Sequence, residues 1–204
     1  MTDSSVRFSA PINAPRPKGS RLLAAFSPTL NRVVRAFDHY GLWLWARLET
    51  DPLITSFCEH PARLGKDDGA RLVDYWVQRG SDQELLVLER DGGLGQMASA
   101  LDGIALRIVP AAELAAAGVW IKNWLRMLPV ITATRGLVPA SLLRAATKLV
   151  REPVALSFVE HELAVGDPCL VRAAVFELLR TGKLLAPSLH SQALSLHTCI
   201  EPAK

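Results

Sequence analysis

The stretch ARLVDYWVQRGSDQELLVLERD, residues 70–91, decides the fold because it predicts a β-hairpin. Its first arm, residues 70–77, is rich in residues that favour strands, and its second arm, residues 84–90, is the continuous apolar run of a central strand. Between the two arms, Gly80-Ser81-Asp82 is typical of a turn. The stretch therefore predicts two adjacent antiparallel strands.

The flanking sequence extends this hairpin into an α/β core. LITSFCE (53–59) and GIALRIV (103–109) predict two further strands. A long helix is expected to begin after Pro28 and run towards Glu49, and a second helix is expected over residues 110–129, with Pro110 in its first turn. Strands with helices at both ends indicate a mixed sheet flanked by helices.

The pattern changes after Pro129. Amphipathic helices are expected over 139–151, 157–163 and 167–183, and residues 184–200 predict a hairpin. Three helices followed by a hairpin is the element order of a winged helix, a variant of the DNA-binding helix-turn-helix. The expected domains are a flexible basic arm (1–20), the α/β core (21–132) and a winged-helix domain (133–204).

Composition narrows the class of protein. Half of the residues are apolar and 21% are charged, which favours a packed globule over disorder. No stretch reaches the roughly 18 uninterrupted apolar residues of a membrane span, so no membrane partner is expected. Three scattered cysteines, an odd number, argue against a disulfide framework and predict a reducing, cytoplasmic location. If the expected winged helix binds DNA, the protein is expected at the nucleoid of a bacterial-type cell while it is bound.

Carboxylates are expected to gather at one rim of the sheet. Side chains alternate along a strand, so Glu89 and Asp91 share a face, and Asp74 joins them if the faces of the two arms coincide. Such a cluster of hard oxygen ligands suits Mg²⁺ or Mn²⁺, which can activate water for attack on a phosphate. The alternative is that Glu89 and Asp91 are the solvated end of a strand. A zinc site at His190, His197 and Cys199 has little support, because no fourth ligand or ligand spacing accompanies it.

Basic residues form two blocks. Residues 1–36 contain six basic side chains and one acidic side chain, and residues 122–151 contain six basic and none acidic. In the second block Arg144, Lys148 and Arg151 follow the spacing of one helix face, and Arg172 and Arg180 lie on the next long helix. These five residues are the candidate DNA-binding residues, with an ordinary basic surface as the alternative.

Four stretches resemble one family in order along the chain. They are the helix leading into ETDPLITSFCEHP (49–61), the strand pair with Asp74 and Glu89, LRIVPAAELAAAGVWIKNWLRMLP (106–129) and VRAAVFELLRTGKLLAPSLHSQALSLHTCI (171–200). Together they resemble TnsA, the endonuclease subunit of heteromeric cut-and-paste transposases, within the PD-(D/E)xK restriction-endonuclease-like superfamily. The resemblance implies such a nuclease core followed by a winged helix. It also implies Mg²⁺- or Mn²⁺-dependent hydrolysis of DNA at transposon ends, alongside a partner transposase subunit.

The same resemblance assigns candidate catalytic residues and exposes two departures. Asp74 matches the metal-binding aspartate of the family, and Glu89 is expected to take the place of the second metal ligand. The position of the lysine that orients the attacking water in the family is then occupied by Asp91, which lacks the positive charge through which the lysine acts. The family also places a glutamate about three turns before the Asp51-Pro52 turn, where this chain has Gly41. Glu49 is the nearby acid that could complete the site.

Three hypotheses follow. The first is an active TnsA-like, metal-dependent endonuclease that uses Asp74, Glu89 and either Asp91 or Glu49. The second is a catalytically degenerate subunit with the same fold that binds or bridges DNA, and the two departures favour it. The third is a winged-helix regulator whose N-terminal portion has an unrelated role.

Overall fold

A computed structural model describes residues 8–65, 70–90, 100–164 and 167–203. The chain forms two compact units, the first comprising residues 1–49 and 53–116 and the second residues 50–52 and 117–204. The fold is mixed α/β, with a mixed sheet flanked by helices. The division falls earlier than the predicted boundary at 132/133, because the helix that precedes this position packs within the second unit.

The first unit is built on a five-stranded sheet. Its strands, with those of two small hairpins, are β1 (Leu23–Ser27), β2 (Arg32–Ala36), β3 (Ser56–Glu59), β4 (Arg63–Leu64), β5 (Arg71–Leu72), β6 (Tyr75–Arg79), β7 (Asp82–Glu89), β8 (Ala100–Leu101) and β9 (Ile104–Pro110). Its helices are α1 (His39–Glu49) and α2 (Ala111–Ala116). The sheet order is β3-β6-β7-β9-β8, and within it only β7 and β9 run parallel. The predicted hairpin is confirmed as β6 and β7, joined by a turn in which Gly80 has a φ of 58°.

The helix predicted from Pro28 is wrong at its N-terminal end. Strands β1 and β2 form a hairpin there, since the β-branched Val33 and Val34 favour a strand and Asn31 adopts a φ of 53° in the turn. The helix begins only at residue 39, where Asp38 caps it by accepting a hydrogen bond from the Gly41 amide at 2.7 Å.

One face of the sheet carries a compact apolar cluster. Its buried members from the strands are Cys58, Trp76, Leu85, Val87 and Ile104, and Val73 between β5 and β6 joins them. Phe8 belongs to the same cluster and is 1% exposed, and the Ile12 amide donates to the His60 carbonyl at 3.0 Å. Residues 8–12 of the predicted flexible arm are thus packed onto the first unit by a buried aromatic ring and a backbone hydrogen bond.

The second unit packs helices beside a small antiparallel sheet. Its elements are α3 (Gly118–Ala133), α4 (Ala140–Leu149), β10 (Val154–Ala155), α5 (Leu156–Glu162), α6 (Pro168–Arg180), β11 (Leu184–Leu185) and β12 (Cys199–Pro202). The sheet order is β10-β12-β11. The helix predicted over 110–129 is instead two helices that break at Ala117, and Pro110 ends β9. The three predicted helices that follow are confirmed, including the cap of α6, where Asp167 accepts from the Cys169 amide at 2.8 Å.

The predicted hairpin over 184–200 is paired only at its ends. Between β11 and β12 the chain folds back onto α3, where the buried Asn123 side chain holds it. Asn123 donates to the carbonyls of Leu189 and Gln192 at 2.9 and 2.8 Å and accepts from the Leu194 amide at 2.8 Å. These bonds satisfy backbone groups that a longer ladder would otherwise pair. Among the described residues, no helix has the length and apolar character needed to cross a membrane.

Candidate functional site

A β-bulge determines where the side chain of Asp74 points. Tyr75 is paired with Leu86 in the hairpin, yet the Asp74 amide also donates to the Leu86 carbonyl, at 3.0 Å. Two residues of one strand therefore oppose a single residue of the other, which is how a bulge inserts an extra residue. Beyond a bulge, side chains change face relative to strict alternation. Asp74 thus leaves the face of Trp76 and joins the face of Leu86.

On this face the Asp74 carboxylate contacts an arginine. Its Oδ1 accepts from the Arg90 guanidinium at 2.8 Å, and its Oδ2 accepts from the Leu88 amide at 2.7 Å. The same guanidinium donates through Nε to Asp38, the residue that caps α1. Burial by itself lowers the pKa of Arg90, but the charge and hydrogen bond of Asp74, aided by Asp38, raise it above its usual value. A permanent cation therefore lies between two carboxylates.

The bulge also changes which residues of β7 accompany Asp74. The residues of β7 and its end that lie beside Asp74 are Leu88 and Arg90, which have the spacing of the motif's acidic ligand and lysine. The position of the acidic ligand is thus occupied by Leu88, which is fully buried. The prediction that Glu89 lies beside Asp74 is not supported, because alternation along β7 directs Glu89 to the opposite face from Leu88 and Arg90. Arg90, which strict alternation assigns to the far face, is the residue that reaches Asp74. Asp91 lies outside the described residues.

Glu49 is committed to a structural role elsewhere in the first unit. It is 2% exposed, and its Oε2 accepts from the Ser27 hydroxyl at 2.5 Å. Its Oε1 accepts from the amide and hydroxyl of Thr29 at 2.9 and 2.7 Å. The carboxylate fastens the β1–β2 turn to the end of α1, and it does not line the cavity that contains Asp74. It is therefore not brought together with Asp74.

Gly41 leaves little room for the acid that the resemblance places there. A Cβ atom at this position would lie 3.2 Å from the Cβ of Ala36, which is tighter than ordinary van der Waals contact. The Gly41 carbonyl accepts from the hydroxyl of the buried Tyr75 at 3.1 Å. Helix α1 therefore packs closely against its neighbours at this point, and a side chain here would require Ala36 to shift by a few tenths of an ångström.

These residues do not fit a divalent metal ion. Both Asp74 oxygens already have donors, the neighbouring ligand position carries the apolar Leu88, and the nearest charge is the cation of Arg90. In the part of the chain that the structure describes, no three His, Cys, Asp or Glu side chains are grouped to hold a metal. The expected Mg²⁺ or Mn²⁺ therefore has no ligand set among these residues.

A cavity of about 750 Å³ opens over the Asp74–Arg90 pair. Besides Asp38, Asp74 and Arg90, its lining includes Arg71 and His60. Arg71 donates to the carbonyl of Leu88, and His60 stacks on Phe37 with ring centroids 4.4 Å apart. The cavity thus combines an acid–arginine cluster with an aromatic wall formed by His60 and Phe37.

His60 couples this site to pH. It is 8% exposed, and burial lowers its pKa below the ordinary value, with the charges of Asp74 and Glu59 only partly opposing this. Because the unfolded state then binds a proton more readily than the folded state, the free energy of unfolding is highest above the unfolded-state pKa of about 6.5. It decreases as pH falls from there towards the lower pKa of the folded state.

We expect the free energy of unfolding to fall more between pH 7 and pH 5 in the wild type than in His60→Asn. Asparagine does not titrate and tolerates the φ of 48° at this position. Urea denaturation of both proteins at each pH measures the difference, and parallel pH profiles would contradict the assignment.

A third buried acid, Glu59, is paired with Arg32. Two Arg32 nitrogens donate to the two Glu59 oxygens, each at 2.6 Å. Beside this pair, burial followed by the charge of Glu59 raises the pKa of the Cys58 thiol to about 12. The thiol stays protonated at neutral pH, so Cys58 is not a reactive nucleophile.

The five predicted DNA-binding residues separate into two groups. Arg144 and Lys148 are exposed on α4, opposite the buried Ala146, and Arg151 lies beyond the helix end with its Nε bonded to the Lys148 carbonyl at 3.2 Å. Arg172 instead forms two bonds to Glu160, at 2.6 and 3.0 Å, and Arg180 forms two to Glu177, at 2.8 and 2.7 Å. Of the five predicted residues, the three without an acidic partner among the described residues therefore lie on and just after α4.

The sequence interpretation missed three residues of the site. Arg90 was assigned to the wrong face because the bulge has no signal in the residue pattern. Asp38 has a signal, since an aspartate directly before a helix is a common cap, but the helix was expected to begin earlier. His60 is preceded by a strand and has a positive φ, which residue type alone does not indicate. Comparison with protein-family models gives no match, and comparison with curated proteins gives none either.

Proposed function

We propose that this chain is a catalytically degenerate, DNA-binding subunit of TnsA-like architecture. The observation that carries the proposal is the Arg90 guanidinium between Asp74 and Asp38, with the buried Leu88 at the position of a second metal ligand. A nuclease of this class needs a divalent ion at that aspartate to activate water and to stabilise the developing charge on phosphate. A fixed side-chain cation supplies charge but holds no water for attack.

The element order supports the architecture in this proposal. In the first unit, a mixed sheet carries Asp74 at a bulge next to β7, which Arg90 directly follows, with α1 on the same face. In the second unit, the order α4-β10-α5-α6-β11-β12, with a β10-β12-β11 sheet, is the order expected of a winged helix. We propose a restriction-endonuclease-like core and a winged-helix domain on this basis.

The second unit offers the surface for DNA. Arg144 and Lys148 are one helical turn apart, both exposed, and neither has an ion-pair partner among the described residues. Their spacing presents two cations on one side of α4, which suits adjacent phosphates of a duplex. Because phosphate contacts carry no sequence information, a partner transposase subunit would supply recognition of the DNA ends. The three free cysteines fit action in the cytoplasm, at the nucleoid.

Substitution of the α4 pair tests the DNA-binding part of the proposal. The double variant Arg144→Ala/Lys148→Ala is expected to bind a short fluorescent duplex on the order of tenfold more weakly at moderate salt. The slope of its log affinity against log salt should be smaller by about 1.8, because the variant lacks two phosphate contacts and so releases fewer counterions on binding. Fluorescence anisotropy at several salt concentrations measures both quantities.

A charge-retaining control distinguishes a surface role from a folding defect. Arg144→Lys/Lys148→Arg keeps both positive charges and should bind nearly as the wild type does. Equal affinity of the alanine pair and the wild type would show that α4 does not contact DNA. Cleavage is tested in the same samples with Mn²⁺ present: metal-dependent nicking that Asp74→Asn abolishes would establish an active nuclease and overturn the degenerate assignment.

A further inference from the structure

A second cavity in the first unit carries two arginines that no acid neutralises. It has a volume of about 490 Å³, and Arg16 and Arg35 both line it and are both exposed. Neither arginine has an ion-pair partner among the residues that the structure describes. We propose that this cavity, the Arg16/Arg35 cavity, is a second site for the DNA phosphate backbone, separate from α4. The inference rests on the proposed DNA-binding function and extends it to the first unit.

The charge balance of the cavity favours an anion. Its one acidic lining residue among the described part of the chain is Glu59, whose two oxygens are both bonded to Arg32. That pair is electrically neutral, and Glu59 is only 3% exposed. The charges of Arg16 and Arg35 therefore remain uncompensated, and the cavity has a local excess of two positive charges. Exposed guanidinium groups present a donor fork that matches the oxygens of a phosphate.

The backbone behind both arginines is held in place. Arg35 lies in β2, where it pairs with Ala24 of β1. Arg16 follows a segment anchored by the buried Phe8 and by the Ile12–His60 backbone bond. A pair of cations on anchored backbone loses less conformational freedom on binding than a pair on an unattached arm. This distinguishes the cavity from a loosely basic terminus.

The same chemistry on two units makes DNA the occupant that the charges favour over an acidic protein segment. Arg144 and Lys148 give the second unit an exposed cationic pair, so each unit carries the donor chemistry that phosphate oxygens accept from. An acidic peptide would match one cavity and leave the other surface without a partner.

Four forms of the full chain test the inference: the wild type, Arg16→Ala/Arg35→Ala, Arg144→Ala/Lys148→Ala and the quadruple variant. Each double variant should lower the slope of log affinity against log salt by about 1.8. The quadruple variant should lower it by about 3.6, because the effects of independent phosphate contacts add. Arg16→Lys/Arg35→Lys keeps the charge and should keep most of the slope. Circular dichroism and the thermal midpoint confirm that each variant is folded.

The outcomes separate this inference from the proposed function. If the Arg16→Ala/Arg35→Ala variant binds DNA as tightly as the wild type while the Arg144→Ala/Lys148→Ala variant binds more weakly, the second site is overturned and the proposed function stands. Wild-type binding by all the variants would overturn both. If the wild type binds polyglutamate and the Arg16→Ala/Arg35→Ala variant does not, while both bind DNA equally, the cavity is a site for an acidic protein and the inference is overturned.

Discussion

Replacement of Arg90 by alanine is expected to lower the free energy of unfolding by about 2–3 kcal/mol. Asp74 is 7% exposed, and without Arg90 the Leu88 amide is the one donor that its carboxylate keeps among the described residues. Removing one partner of a buried pair leaves an uncompensated charge, whereas the partial exposure of Arg90 and Asp38 reduces the cost. Urea denaturation monitored by tryptophan fluorescence measures the loss.

Two further variants locate the effect. Arg90→Lys retains a positive charge but cannot bridge two carboxylates with one planar group, so an intermediate loss of about 1 kcal/mol is expected. In a double-mutant cycle, Asp74→Asn should partly rescue Arg90→Ala, with a coupling energy of about 1–2 kcal/mol. Additive losses would show that Arg90 and Asp74 do not interact.

Introducing a glutamate at Leu88 is expected to produce a metal response that the wild type lacks. In the Arg90→Lys background, Leu88→Glu places a second carboxylate beside Asp74, in a position that is fully buried. Without metal the variant should lose more than about 3 kcal/mol, because a buried charge lacks a partner. Mn²⁺ at 100 times its dissociation constant should return about 2.7 kcal/mol. Thermal unfolding with Mn²⁺ or with chelator measures the difference.

The matched controls separate the two possible registers of β7. Adding Asp74→Asn to the Leu88→Glu/Arg90→Lys variant should abolish the response to Mn²⁺. Glu89→Gln in the wild type should change nothing, since Glu89 faces away from Asp74. If instead the wild type is stabilised by Mn²⁺ and Glu89→Gln removes that stabilisation, then the sequence-based pairing of Asp74 with Glu89 is right and the register described here is wrong.

Local signals in the sequence predicted much of the secondary structure. The Gly80 turn between two strand-forming runs specified β6 and β7, and Asp167-Pro168 specified the start of α6. These features depend on neighbouring residues, whose backbone preferences act without the rest of the fold. The error at residues 28–36 has the same origin, because apolar residues in short runs suit a helix and a strand alike, and pairing of β1 with β2 decided between them.

The geometry of the site depends on one residue that the pattern does not reveal. Strict alternation pairs Asp74 with Glu89, and the single extra residue of the bulge exchanges Glu89 for Leu88 and Arg90. A bulge is determined by how three strands meet, since the Asp74 carbonyl also accepts from the His60 amide at 2.9 Å. Such a contact between residues distant in sequence leaves no local signal.

Ion pairs limited the prediction of the DNA-binding surface in a similar way. Arg144 and Arg172 are equally basic in sequence, and each lies on an amphipathic helix. Only the packing of α5 against α6 brings Glu160 to Arg172 and neutralises it. The sequence therefore identified the basic helices, and tertiary contacts decided which of their cations remain available.

Binding of Mn²⁺ to the full-length wild type with saturating duplex DNA, followed by electron paramagnetic resonance, tests the central claim most directly. Because Arg90 supplies the cation between Asp74 and Asp38, the fraction of bound Mn²⁺ should be the same in the wild type and in Asp74→Asn. A Mn²⁺ ion that is bound by the wild type and released by Asp74→Asn would contradict the account and establish Asp74 as a metal ligand.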